Sequence, residues 1–218
     1  MAPRPASART RSTLRVRTRS SLALVLAVAA GSLGVAGLPS VEARAAAPGR
    51  ISGTVDPSLT RNAEAVVYID EVPDKTFEPP TEPAVIEQRQ MAFVPHVLPI
   101  LRGTTVRFPN VDRVRHNVFS PSPAKPFNFG IYYPRESRQI TFDKVGVVSL
   151  LCNIHETMSG YILVLQNPYF ARVGADGKYA IGDVPDGSYT LALWAERGKP
   201  LRVPAVVRGG PVEVNFTK

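Results

Sequence analysis

The stretch Cys152-Asn153-Ile154-His155-Glu156-Thr157-Met158 places a thiol, an imidazole and a thioether on one short run of chain. A second imidazole opens the triplet His116-Asn117-Val118, 36 residues upstream of Cys152. Two imidazoles, one thiolate and a weakly held thioether form the donor set of a trigonal copper site with a long axial sulfur. Soft thiolate and borderline imidazole suit both oxidation states, so these residues point to one-electron exchange at a single Cu(I)/Cu(II) ion. His116, Cys152 and His155 are the expected equatorial ligands and Met158 the axial one. Asn117, beside His116, is placed to hydrogen-bond across to the Cys152 loop and orient the ligands.

Each residue also has a plainer reading: a buried inert cysteine, a core methionine, a turn asparagine. Cys152 is the only cysteine, so in an oxidising compartment it has no intramolecular partner. Metal coordination protects such a thiol and fixes it as thiolate. The spacing of Cys152, His155 and Met158, in a chain with three histidines, favours the metal. His96, within Pro95-His96-Val97-Leu98-Pro99, has no second metal-binding residue at useful spacing and reads as a structural or surface residue.

Export is expected from the first 45 residues. Arg4, Arg9, Arg11, Arg15, Arg17 and Arg19 precede the apolar run Leu22 to Leu38, and Ala43-Arg44-Ala45-Ala46-Ala47 follows. Residues 1–45 therefore read as a secretory signal peptide, cleaved after Ala45 or Ala46. No arginine pair precedes the apolar run, which favours the general secretory route over the twin-arginine one. The alternative, an uncleaved anchor, is weakened by Gly31, Gly34 and Gly37 and by a run short for a bilayer. The expected product is periplasmic or extracellular, with no membrane span in the mature chain. Removing residues 1–45 takes away seven arginines and one glutamate, so the net charge of +8 falls to +2. That balance gives no reason to expect nucleic acid as a partner.

Proline and glycine are frequent, and short β-rich runs recur between turns, so the class is all-β. Strands are expected over Val85 to Phe93, Val97 to Leu101, Thr104 to Phe108, His116 to Ser120, Phe127 to Tyr133, Gln139 to Phe142, Val145 to Leu151 and Tyr161 to Leu165. Val145 to Leu151, apolar but for Ser149, reads as an interior strand and leads straight into Cys152. Trp194 and Tyr189 alternate with apolar residues on a later strand and are assigned to a second core.

Phe93-Val94-Pro95, Gly103 to Asp112, His116-Asn117-Val118, Gly146 and Cys152 to Tyr161 resemble the cupredoxins over about residues 83–167. The ligand loop has two residues between Cys152 and His155 and two between His155 and Met158, similar to the amicyanin group. Plastocyanin-like proteins have a longer gap before the methionine. The resemblance implies a Greek-key β-sandwich, copper held by His116, Cys152, His155 and Met158, and electron exchange with a redox partner protein, a cytochrome or oxidoreductase.

Ile51-Ser52-Gly53-Thr54-Val55, Ala65-Val66-Val67-Tyr68-Ile69 and the run Asp176 to Leu191 resemble the carboxypeptidase regulatory-like, or transthyretin-like, family. The resemblance implies a second small β-sandwich built from residues 48–70 and 168–218. The copper domain, 83–167, would be inserted into it, and the proline-rich residues 71–82 would be the first linker.

Three other functions compete. A Cys152 nucleophile with His155 as base lacks an oxyanion-forming motif, and two residues on one tight loop leave little substrate cleft, so no catalytic turnover is expected. A periplasmic copper-handling protein would use the same ligands and differ in affinity and solvent access. A ligand-binding module would make the second sandwich the working part and leave copper a structural role.

Overall fold

Runs rich in β-branched and aromatic residues, punctuated by Gly, Pro and Asp, fold as strands throughout residues 49–218, which the computed structural model describes. The expected leader over 1–45 lies outside the described residues. β1 (Gly49–Thr54) is followed by the single-turn helix α1 (Pro57–Thr60) and β2 (Ala65–Ile69). Asp56 caps α1 by accepting from the Ser58 amide at 2.8 Å, and Pro57 takes the first helical position, where its missing N–H leaves nothing unpaired. A strandless stretch then leads to β3 (Ala84–Val85), β4 (Glu87–Arg89), β5 (Ala92–Val94), β6 (Val97–Leu101) and β7 (Thr104–Pro109). The middle of the chain continues with β8 (His116–Ser120), β9 (Phe127–Tyr132), β10 (Ser137–Phe142), β11 (Gly146–Leu151) and β12 (Ser159–Leu165). The remaining strands are β13 (Phe170–Arg172), β14 (Lys178–Val184), β15 (Gly187–Ala195), β16 (Leu201–Val207) and β17 (Pro211–Glu213). The described chain is all-β apart from α1, and among the described residues no helix is long and apolar enough to cross a membrane.

The middle strands form one sandwich. One sheet has the order β10-β7-β3 and the other β6-β12-β11-β8-β9. On β7 the period of two is clear: Thr104, Val106 and Phe108 point inward and are buried, while Arg107 is exposed. They meet Val118, Phe142, Leu150 and Ile162 in a core closed to solvent. Each such aliphatic or aromatic side chain contributes about 1.5–3 kcal/mol of burial free energy. β11 lies between β12 and β8, antiparallel to both, and alternates in burial: Val148 and Leu150 face the core while Val147 on the other face is exposed.

Strands from either side of that sandwich in sequence pair with each other. β1 is antiparallel to β14 and parallel to β17, and β2 pairs with β13 and β15, which in turn pairs with β16. Ile51, Val67, Ile69, Ile181, Leu191 and Val207 share one core. A smaller cluster joins the two strand groups: Val66 meets Val97, Leu163 and Leu165, flanked by Tyr68, Tyr161, Phe170 and Trp194.

Two local expectations are corrected. Residues Val85 to Phe93 do not form one strand: after β3 the chain makes a hairpin, β4 to β5, that reverses at Gln90 and Met91, both in the left-handed region with φ 54° and 58°. Trp194 is not in the core of the outer strand group but at the junction, its ring 5.4 Å from that of Tyr161.

Candidate metal centre

Cys152 is set down at the end of β11, whose Val148 and Leu150 anchor it in the core, and the thiol is 5% exposed. The register Leu151↔Ser159 between β11 and β12 closes the neck of the loop 152–158, and the Met158 amide donates to the His155 carbonyl at 3.0 Å inside it. That turn leaves His155 half-buried at the surface of the loop and returns Met158, 2% exposed, to the same core cluster as Cys152. His116 starts β8, which pairs with β11 at Phe119↔Leu151, and is fully buried. Two strands adjacent in space but distant in sequence, β8 and β11, thus bring His116 together with Cys152 and the loop that bears His155.

The three donors converge. Nδ1 of His155 lies 3.1 Å from Nδ1 of His116 and 4.0 Å from Sγ of Cys152, and all three atoms lie within 4.8 Å of one another. Metal–nitrogen bonds of about 2.0 Å and metal–sulfur bonds of about 2.3 Å hold neighbouring donors roughly 3.3–3.8 Å apart, close to these separations. Protonation state points the same way. Nε2 of His116 faces Oδ2 of Asp112 at 2.9 Å, an acceptor, so Nε2 carries the hydrogen and the Nδ1 lone pair is turned toward His155. A hydrogen on His155 Nδ1, or a cation held by both nitrogens, satisfies this approach. Two imidazoles and one thiol, those of His116 and Cys152 buried and that of His155 half-buried, form a donor set that fits copper.

Asp112 was not among the residues singled out from sequence. Its Oδ1 accepts from the Gln90 amide at 2.6 Å and its Oδ2 from the Met91 amide at 2.9 Å, in addition to His116. Burial works to raise its pKa, but the hydrogen bonds from Met91, His116 and Gln90 outweigh it and hold the carboxyl below the ordinary value. The β4–β5 hairpin, Asp112 and His116 are therefore one hydrogen-bonded unit. A carboxylate four residues before a candidate histidine ligand is the signal that marked it. Gln88 of the same hairpin is also fully buried, bonded to the Tyr132 hydroxyl and, at 3.3 Å, to the Pro109 carbonyl.

Asn117 is 2% exposed, but its Nδ2 donates to Asn128 Oδ1 at 3.2 Å on β9, away from the Cys152 loop, and its Oδ1 has no partner. His96 stands outside the cluster. Arg113 and Arg115, which flank the turn before His116, are exposed.

Fold and site together define an all-β protein with a buried His-Cys-His centre that can hold one metal ion. A scan against protein-family models found no match, and no curated protein matched. Solved structures did. The chain is similar to a copper-containing nitrite reductase from Thermus scotoductus (31% identity over 45% of this chain and 25% of that one, TM-score 0.38). It is similar to a purple cupredoxin from Nitrosopumilus maritimus (27% identity, 37% of this chain and 98% of that one, TM-score 0.34). A third likeness is to a mutant amicyanin in its reduced state (20% identity, 45% of this chain and 97% of that one, TM-score 0.36). The chain spans a quarter of the length of the nitrite reductase it matches.

Proposed function

We propose that this chain is an exported electron carrier with a mononuclear type 1 copper site and no catalytic turnover of its own. The observation that carries the reading is the approach of His116 Nδ1, His155 Nδ1 and Cys152 Sγ to within 4.8 Å, at one end of a rigid sandwich. Bound copper would supply a reversible one-electron change between Cu(I) and Cu(II). The protein's part is to hold donors still: β8 and β11 fix His116 and Cys152, and the closed neck of the loop fixes His155. Such fixed donors suit either oxidation state with little rearrangement. Met158, buried in the same core cluster as Cys152, is the proposed axial donor. The side of His155 left partly open is the proposed exit for the electron. A redox partner protein would dock there, with exposed Arg113 and Arg115 steering an acidic surface.

We also propose that residues 83–167 are the copper domain, inserted into a transthyretin-like sandwich of residues 48–70 and 168–218. The pairing of β1 with β14 and β17, and of β2 with β13 and β15, supports it. Residues 1–45 are the proposed signal peptide, which would place the mature protein in the periplasm or outside the cell.

The test is the visible and electron paramagnetic resonance spectrum of the mature chain loaded with Cu(II), beside Cys152→Ser. The expected result is an intense thiolate-to-copper band and a narrow copper hyperfine splitting, both lost in the variant. A colourless protein, or ordinary tetragonal copper indifferent to the substitution, rejects the type 1 centre.

A further inference from the structure

His96 leads into β6 at the point where the ligand loop re-enters the sheet as β12. Its carbonyl accepts from the Tyr161 amide at 2.8 Å. Gly160 passes so close that a Cβ there would lie 3.1 Å from the His96 carbonyl oxygen and 3.1 Å from Phe93 Cβ, so the two segments are in tight contact. Both ring nitrogens of His96 face oxygen. Nδ1 is 3.0 Å from the carbonyl of Ser159, and Nε2 is 3.1 Å from Oε2 of Glu196. The Ser159 carbonyl only accepts, so Nδ1 carries the hydrogen that meets it, and Nε2 faces the Glu196 carboxyl on the other side: the ring spans the two.

The two ends of this bridge belong to different parts of the molecule. Ser159 directly follows Met158. Glu196 directly follows β15, in the strand group built from residues outside 84–165, and its amide donates to the Glu64 carbonyl at 3.3 Å. The side chains of His96 and Glu196 are 31% and 19% exposed, so water screens the pair only in part. The bridge is backed by ring contacts: His96 meets Tyr161 edge-on at 5.7 Å, and Tyr161 meets Trp194 in a tilted contact at 5.4 Å.

We infer that the outer strand group positions the metal loop: Glu196, acting through His96, holds the Ser159 carbonyl and so sets how Met158 enters the site. The inference rests on the proposed role of Met158 as axial donor. An axial bond is long and weak, so a small displacement of the backbone at 159 alters it more easily than it alters the equatorial bonds, and axial strength tunes potential. The outer sandwich then has a function of its own: it is the support that selects the potential of the copper site. His96 and Glu196 are positioning residues, reaching the metal only through Ser159 and Met158.

The test uses the full mature chain, wild type beside the isosteric Glu196→Gln and beside His96→Gln, which removes the ring. In the metal-free protein, Glu196→Gln is expected to shift the amide resonances of Ser159, Gly160 and Tyr161 and the methyl resonance of Met158, leaving those of β14 in place. In the copper-loaded protein the thiolate-to-copper band is expected to survive, because the equatorial donors are untouched, while the reduction potential rises as the axial sulfur loosens. His96→Gln, whose amide reaches toward Glu196 and leaves the Ser159 carbonyl without the Nδ1 hydrogen, is expected to move the same resonances at least as far as Glu196→Gln does. A Ser159 amide and a Met158 methyl that do not move in Glu196→Gln overturn the inference, as does a blue wild-type protein whose potential Glu196→Gln leaves unchanged. A wild-type protein without the copper–thiolate band would fail the electron-carrier reading alone, and the metal-free spectra would still decide the positioning.

Discussion

At His116 the side chain is held from behind. Asp112 accepts from Nε2 and turns Nδ1 toward His155 and Cys152, and the same carboxylate gathers the amides of Gln90 and Met91. Asp112→Asn replaces one acceptor oxygen with a donor, so an N–H meets an N–H wherever the amide is placed. Outer partners of this kind are worth about 10–100-fold in metal affinity. Copper affinity of Asp112→Asn, measured by competition with a chelator, is expected to fall in that range while the circular dichroism of the β-sandwich is kept; unchanged affinity would remove Asp112 from the site. Met158→Leu tests a different donor. It should keep copper, since His116, Cys152 and His155 remain, and raise the reduction potential read by voltammetry. An unchanged potential would mean that Met158 is only a core residue.

At the scale of the element, the loop 152–158 and the β4–β5 hairpin differ in what makes them turn. The loop is closed by a local register, Leu151↔Ser159, and by a hydrogen bond within the loop. The hairpin turns through two non-glycine residues with positive φ, and it is kept there by Asp112, 22 and 21 residues further along. Met91 is 54% exposed, so its side chain contributes little packing. Gln90→Asn together with Met91→Gly, the residue pair such a two-residue turn prefers, is expected to stabilise the protein by roughly 1 kcal/mol. Chemical denaturation reads this as a higher midpoint with an unchanged slope; a lower midpoint would show that the native pair is better than its backbone suggests. The hairpin was illegible in advance for the same reason. Residues 87–93 contain no Gly, Pro, Asn or Asp, so no local signal interrupts the apparent strand.

Across the whole molecule, stability at high pH reports on the outer core. Tyr179 of β14 donates to the Val214 carbonyl at 2.7 Å, tying β14 to the segment after β17. Burial pushes its phenol well above the ordinary tyrosine value of 10.0. The folded state therefore holds this proton more tightly than the unfolded chain does. The associated stability is fully present below pH 10 or so, and is lost as pH rises through the raised folded value. Tyr179→Phe should cost about 1 kcal/mol near neutral pH, through the lost hydrogen bond, and should fall off less steeply than wild type between pH 9 and about 11 in urea unfolding. Identical slopes would place the alkaline sensitivity elsewhere. In the middle sandwich, Phe108→Ala opens a cavity in a closed core and is expected to cost about 3–5 kcal/mol, read from the same unfolding curves.

The sequence by itself determined the β class, the donor types and their local order. Strand period, turn residues and the spacing of Cys152, His155 and Met158 are properties of neighbours along the chain, and the physics that shapes them acts over a few residues. The pairing of strands from both sides of residues 84–165 lies beyond any local signal, because pairing such as Leu191↔Ile69 joins segments more than a hundred residues apart. Tertiary structure alone decided the rest: Asp112 behind His116, the side chain of Asn117 turned to Asn128, Trp194 at the junction instead of in a core, and His96 between Ser159 and Glu196. Each of these is one hydrogen bond or ring contact whose partner is chosen by how two sheets pack, and packing leaves no periodic trace in the chain that it joins.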